Sequence, residues 1–249
     1  MIEFLHVSYR VNAAESRVIV SDANLAVERG ETLVLLGRSG SGKTTLLRLI
    51  NRMLSPTSGE VRVEGRATTQ WDAIQLRRRI GYVIQDSGLF PHFSVAENVA
   101  LVPKLENWEA QRVASRVKEM LALVGLDPAE YGNRRPRELS GGQRQRVGVA
   151  RGLAADPPIL LMDEPFGALD PVTRAELQGE FRELAKRLNK TIVFVTHDIR
   201  EALFLASRIV LLQEGRIVAT ARPEEFLSLH HPEVKAFAKS LGGPNRASA

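Results

Sequence analysis

The segment Gly37–Thr45, "GRSGSGKTT", decides the fold. It satisfies the spacing G-x-x-x-x-G-K-[ST], and its neighbours supply the required context. "ETLVLL" before it reads as a short buried strand, and "KTTLLRLINRM" from Lys43 onward reads as a helix. A strand that passes through a glycine-rich turn into a helix is a phosphate-binding loop. Its backbone N–H groups turn inward onto phosphate oxygens, and the helix adds its positive end. Lys43 sets a charge on the β- and γ-phosphates, and Thr44 offers a hydroxyl to Mg²⁺. Gly37, Arg38, Ser39, Gly40, Ser41, Gly42 and Thr45 complete the candidate nucleotide-binding set.

Outward from the loop, short apolar runs recur: "LVLL", "ILLM", "IVFV" and "IVLL". Each is far below the ~20 residues of a membrane-spanning helix. They read as buried strands alternating with helices, which predicts a mostly parallel sheet with helices on both faces. The first thirty residues alternate like strands instead, and "RIVLLQEGRIVAT" reads as two strands around a Glu214–Gly215 turn. The middle is helical. Ser94 and Glu97 make a capping box for a helix ending near Pro103. Val113, Val117, Met120, Leu121 and Val124 share one face of a longer helix, which Gly125 stops. Asp127–Pro128 opens another, and Gly142–Ala154 forms a further one. Asp170 and Pro171 cap the helix that follows "ILLMDEP". "PEEFLSL" and "PEVKAFAKSLGG" predict short C-terminal helices. One domain results: 1–89 and 156–220 form a nucleotide-binding core with an N-terminal β subdomain, 90–155 a helical insertion, and 221–249 a helical tail.

Composition narrows the class. Of 249 residues, 44% are hydrophobic and 25% charged, which suits an intracellular α/β protein with a sizeable core. With no cysteine there are no disulfides and no thiolate metal site. The N-terminus has no apolar stretch of signal-peptide length. The net charge of +5 invites a nucleic-acid reading, but no lysine tract or basic tail appears, and "LRRRI" (76–80) is the nearest approach to one. A basic surface with arginines beside nucleotide phosphates or acidic lipid is the favoured account of the charge.

"PILLMDEP" (Pro158–Pro165) complements the loop. Its apolar residues bury a strand, and Asp163 emerges at the C-terminal end, where open α/β sheets bind ligands. A carboxylate there holds Mg²⁺, and Glu164, facing another way, polarises an attacking water. Gln85 and His197 each end a strand, "GYVIQ" and "IVFVTH". Singly, each is an ordinary polar strand end; together they converge on the edge where a γ-phosphate would lie. Tyr9 reads on its own residues as a tyrosine half-buried in a sheet. "LSGGQ" (Leu139–Gln143) looks like a second phosphate-binding turn, which the first makes redundant.

The ordered set "GRSGSGKTT", "VIQD", "LSGGQRQRV", "ILLMDEP", "GALD" and "VTHD" resembles the ATP-binding-cassette (ABC) family from Tyr9 to about Ala219. The resemblance implies a P-loop NTPase core with ATP and Mg²⁺. It makes Tyr9 the aromatic that stacks on adenine and Gln85 the residue touching Mg²⁺ or the lytic water. Ser140, Gly141, Gly142 and Gln143 become the signature loop, and Asp163 the Mg²⁺-holding aspartate together with Thr44. Glu164 becomes the general base, Asp170 part of the D-loop and His197 the switch histidine. Two cassettes then pack head to tail, each signature loop closing over the other's ATP. Transmembrane permease subunits and an external solute-binding protein are the implied partners, no nucleic acid is involved, and the chain sits at the cytoplasmic face of the membrane.

The stretches Gly81–Trp108 and Leu153–Gln178 narrow the likeness to ATPase subunits of bacterial osmoprotectant importers, for glycine betaine, carnitine or choline. Some such proteins continue into paired CBS regulatory domains. This chain ends at Ala249, so that form of sensing is not expected. Gly152 stands where "ARAL" would have alanine, at about 0.5–1 kcal/mol of helix stability. Leu89, Phe90, Pro91 and Phe93 are an apolar group that either receives a permease helix or packs the helical subdomain.

Overall fold

A computed structural model describes residues 1–11, 17–85 and 87–241. Asp86 of "VIQD" and the tail beyond Leu241 lie outside them. The chain divides into two compact units: Met1–Trp71 with Val193–Ala249, and Asp72–Ile192.

The first unit carries the N-terminal antiparallel sheet, of order β2-β1-β4-β5: β1 (Ile2–Val11), β2 (Arg17–Val27), β4 (Ser58–Val63) and β5 (Arg66–Ala67). It also carries the order β10-β9-β3-β8, from β3 (Thr32–Leu36), β8 (Thr191–Thr196, of which Val193 onward belongs to this unit), β9 (Arg208–Gln213) and β10 (Arg216–Ala221). β3 runs parallel to β9, with Leu33 opposite Arg208 and Leu36 opposite Leu211. β10 folds back antiparallel through the expected turn, with Glu214 and Gly215 both at positive φ. The helices of this unit are α1 (Lys43–Ile50), α8 (Ile199–Leu205), α9 (Pro223–Phe226) and α10 (Pro232–Leu241).

The second unit holds the parallel pair β6 (Ile80–Ile84) and β7 (Ile159–Asp163). Its helices are α2 (Ala73–Arg78), α3 (Val95–Leu105), α4 (Ala110–Leu123), α5 (Pro128–Tyr131), α6 (Gly141–Leu153) and α7 (Pro171–Leu188). The apolar runs behave as read: every residue of Leu33–Leu36, Ile159–Met162, Ile192–Val195 and Ile209–Leu212 is at most 1% exposed. Such continuous burial is the signature of strands covered on both faces.

Local chemistry sets the helix limits. Ser94 and Glu97 close the capping box of α3, and Asp127 accepts the Ala129 N–H to open α5. α3 runs two residues past Pro103. The proline lacks one N–H, and the ladder resumes with Glu106 N–H donating to Val102 O at 3.0 Å. Helix α2 was not anticipated. Asp72 caps it, Arg77 and Arg78 fill its last turn where cations favour the helix dipole, and Arg78 meets Glu106 at 3.2 Å. The basic run "LRRRI" thus forms a helix C-terminus. Among the described residues no helix is long and apolar enough to cross a membrane.

Candidate functional site

In the first unit the phosphate loop hangs between buried β3 and α1. Gly37 and Ser41–Lys43 are buried, Arg38, Ser39 and Gly40 are exposed, and Thr44 and Thr45 are half-buried. Gly42 caps α1 at φ 102°, and a Cβ there would stand 2.8 Å from Ile19 O, so only glycine fits. Lys43 Nζ donates to Gly37 O at 2.8 Å and to Arg38 O at 3.0 Å, which arches the loop over its own ammonium. Ser41 Oγ is buried without a hydrogen-bond partner. A buried orphan hydroxyl, a caged ammonium and exposed backbone at the tip suit an anionic phosphate. A cleft of ≈310 Å³ opens over Arg38–Ser41 beside Leu212, Gln213, Glu214 and Glu233.

Two other expected residues of this unit fall near the loop. Tyr9 is half-buried in β1 and pairs with Val20, whose side chain backs Gly42. His197 is exposed immediately after β8 and shares a cleft with Arg38. Its loop is braced by a residue the sequence reading missed. Thr196 Oγ1 donates to buried Glu201 at 2.5 Å while accepting the Asp198 N–H at 2.9 Å, so the residues flanking His197 are tied together.

The second unit gathers the carboxylates. Ile84 pairs with Asp163, so Gln85 and Glu164 leave adjacent parallel strands at the same level. Tyr82 OH donates to Asp163 Oδ2 at 3.4 Å. Glu164 holds φ 47°, in the left-handed region that disfavours residues with a Cβ. Its carbonyl accepts the Gly167 N–H at 3.1 Å, and a Cβ on Gly167 would meet Gln85 Nε2 at 3.1 Å. Gln85, Asp163 and Glu164 therefore share one edge. Arg151, in α6, was not foreseen. Its guanidinium donates to Ser87 O and Gly88 O, both at 2.7 Å, and burial lowers its pKa. It pins the turn that follows Gln85.

The signature segment divides its labour unevenly. Ser140 Oγ accepts the Gln143 N–H at 3.2 Å, Gln143 Oε1 accepts the Ser140 N–H at 2.9 Å, and Gln143 Nε2 donates to Tyr131 at 3.2 Å. Both side chains, expected to meet nucleotide, are engaged in capping α6. A Cβ on Gly142 would stand 2.7 Å from Thr173 Cγ2, so this glycine admits the close approach of α7. Ser140 and Gly141 are exposed, leaving the N–H end of α6 presented outward. Asp170 likewise serves its helix: its carboxylate accepts the Val172 and Thr173 N–H groups at 3.1 Å each, and hydrogen bonding by the Thr173 side chain, ahead of its N–H, leads in holding it below the usual carboxylate range.

The apolar group after Gln85 is organised by another unforeseen residue. Fully buried Asn98 accepts the Phe90 N–H at 2.8 Å and donates to Phe90 O at 3.2 Å and Ser94 O at 2.9 Å. His92 meets Phe90 and Phe93 edge-on around this latch, Phe90 and Phe93 pack at a tilt, and Phe90 remains 41% exposed.

The ABC transporter family model matches residues 20–167. The glycine betaine uptake system ATP-binding protein YehX of Escherichia coli is 51% identical over 228 residues, covering 92% of this chain and 73% of that one. The choline transport ATP-binding protein OpuBA of Bacillus subtilis is 52% identical over 208 residues, 84% of this chain and 54% of that one. The chain spans about half the length of several such curated relatives. Among solved structures, the dimeric post-hydrolysis state of the ATP-binding cassette MJ0796 bound to ADP and Pi matches with TM-score 0.80 and 34% identity, over 90% of this chain and 99% of that one. The cassette cbiO1 from Clostridium perfringens matches with TM-score 0.82 and 27% identity, over 96% and 98%. The chain belongs to the ABC transporter family.

Proposed function

We infer that the chain is the ATP-binding and ATP-hydrolysing subunit of an importer for a small solute, a quaternary-amine osmoprotectant such as glycine betaine, carnitine or choline. The observation that carries the hydrolytic reading is the constrained Glu164 beside Asp163 at the end of β7, with Gln85 on the same edge. The relatives' names, choline and glycine betaine transport among them, support the solute class.

In this reading Lys43 and the loop N–H groups bind the β- and γ-phosphates, and Tyr9 stacks on adenine. Glu164 accepts a proton from the water that attacks the γ-phosphorus; the bond to the β–γ bridging oxygen breaks and phosphate leaves. His197 and Gln85 orient the γ-phosphate and the water. Thr44, Gln85 and Asp163 would hold Mg²⁺. When bound, that ion neutralises phosphate charge.

Ser140 and Gly141 close over the ATP of a second copy, which explains two phosphate-binding turns in one chain. The helical subdomain, 90–155, carries this loop. Permease subunits meet the Phe90 surface at the cytoplasmic face of the membrane, and a solute-binding protein delivers the cargo outside.

Reconstitution with its permease partners, followed by ATP-dependent uptake of glycine betaine, carnitine and choline beside an amino acid and an inorganic anion, tests the proposal. Uptake of a quaternary amine is expected. Transport of only the amino acid or the anion would keep the importer and overturn the solute class.

A further inference from the structure

The cleft beside the phosphate loop pairs Arg38 of the candidate nucleotide-binding set with Glu233, a residue that the catalytic reading leaves unused. The Arg38 guanidinium donates through Nε to Glu233 Oε1 at 2.5 Å and through Nη2 to Oε2 at 3.4 Å. This two-point fork joins residues 195 positions apart. Glu233 lies in the first turn of α10, with its side chain 12% exposed against 71% for Arg38. The helix is anchored around it. His231 Nδ1 accepts the Glu233 N–H at 3.2 Å, Val234 is fully buried, and Arg200 of α8 donates to Leu241 O at 3.3 Å. Arg38, His197, Asp198, Glu233 and Phe237 line one cleft of ≈430 Å³.

Arg38 is held from both of its ends. Its carbonyl accepts Lys43 Nζ at 3.0 Å and the Ser41 N–H at 3.2 Å, while its guanidinium is clasped by α10. The peptide that cages the phosphate-binding ammonium is therefore strapped to a C-terminal helix that also packs on α8, next to His197. A neutral or shorter side chain at position 38 would leave the tip of the loop, with its open Gly40, without this strap.

We propose that Glu233 is a positioning residue for the nucleotide site, acting through Arg38 on the loop that holds Lys43. The proposal rests on the reading of that loop as the ATP site. Because Arg38 is exposed, the pair adds little to global stability, and loss of the carboxylate leaves a folded protein. The strap acts equally on bound substrate and transition state, so its loss raises KM and leaves kcat in place.

The test is a double-mutant cycle of Glu233→Gln and Arg38→Gln. Equilibrium binding of ATP is measured in EDTA, KM and kcat in Mg²⁺, and amide exchange of residues 38–43 in the nucleotide-free protein. Glu233→Gln is expected to weaken ATP binding about 2- to 5-fold, the range of an exposed ion pair. It should raise KM by the same factor at constant kcat and speed amide exchange in the loop. In the Arg38→Gln background it should do nothing further, and Glu233→Asp should recover part of the affinity. Wild-type binding and exchange in Glu233→Gln, or effects that simply add, would overturn the proposal. Lys43→Ala separates the two readings. If that variant binds ATP like the wild type, the site reading fails and this proposal with it; if it loses ATP while Glu233→Gln does not, only the positioning role fails.

Discussion

Glu164 is one of the non-glycine residues of the second unit at positive φ: a glutamate at φ 47°, next to the Asp163 that Tyr82 contacts. Positive φ disfavours a residue with a Cβ, so Glu164 sits there at the expense of backbone strain. Glu164→Gln keeps the shape and removes the base. We expect turnover to fall at least ~10²-fold with ATP binding retained, as measured by phosphate release and nucleotide titration. Unchanged turnover would remove Glu164 from the chemistry. Lys43→Ala should abolish ATP binding, because the loop would lose the ammonium that its own carbonyls cage. Motif spacing made Lys43, Asp163 and Glu164 legible before any coordinates. It could not reveal that Ser140 and Gln143 spend their polar atoms on capping α6, because spacing specifies backbone position and the rotamer chooses the partner.

At the scale of elements, the helix starts were legible because their signals are local: Ser94 with Glu97, Asp127 with Pro128, Asp170 with Pro171. What stayed hidden is contact across long sequence separation. Arg151 pins the turn after Gln85 from α6, Asn98 latches the loop at Phe90, and Glu233 reaches Arg38. The two signature glycines separate by the same logic. Gly142→Ala pushes a methyl to 2.7 Å from Thr173 Cγ2, whereas at Gly141 the nearest atom, Leu169 Cδ2, is at 3.5 Å. Gly142→Ala should cost about 1–3 kcal/mol by overpacking, and Gly141→Ala under ~1 kcal/mol. Urea unfolding measures both; equal losses would contradict the assigned packing. Activity lost in Gly142→Ala alone therefore says little about nucleotide contact. The Asp170 cap has an acid limit: with its pKa lowered on folding, its contribution is complete above the ordinary carboxylate range and is lost as pH falls through the lowered value.

For the whole molecule, the account rests on two copies sharing ATP. The outward-facing N–H end of α6 sits on a chain whose phosphate loop is already one cradle, and the solved cassette MJ0796 is dimeric. The permease side is tested by Phe90→Asp. Charging an exposed ring held by the Asn98 latch should spare ATP binding and cut transport in the reconstituted complex. Undiminished transport would return that patch to internal packing. The most direct measurement of the shared site is sedimentation of Glu164→Gln with saturating MgATP. The variant should run as a dimer that reverts to monomer when Ser140→Arg blocks the signature face. A Glu164→Gln protein that binds ATP and remains monomeric would contradict the account.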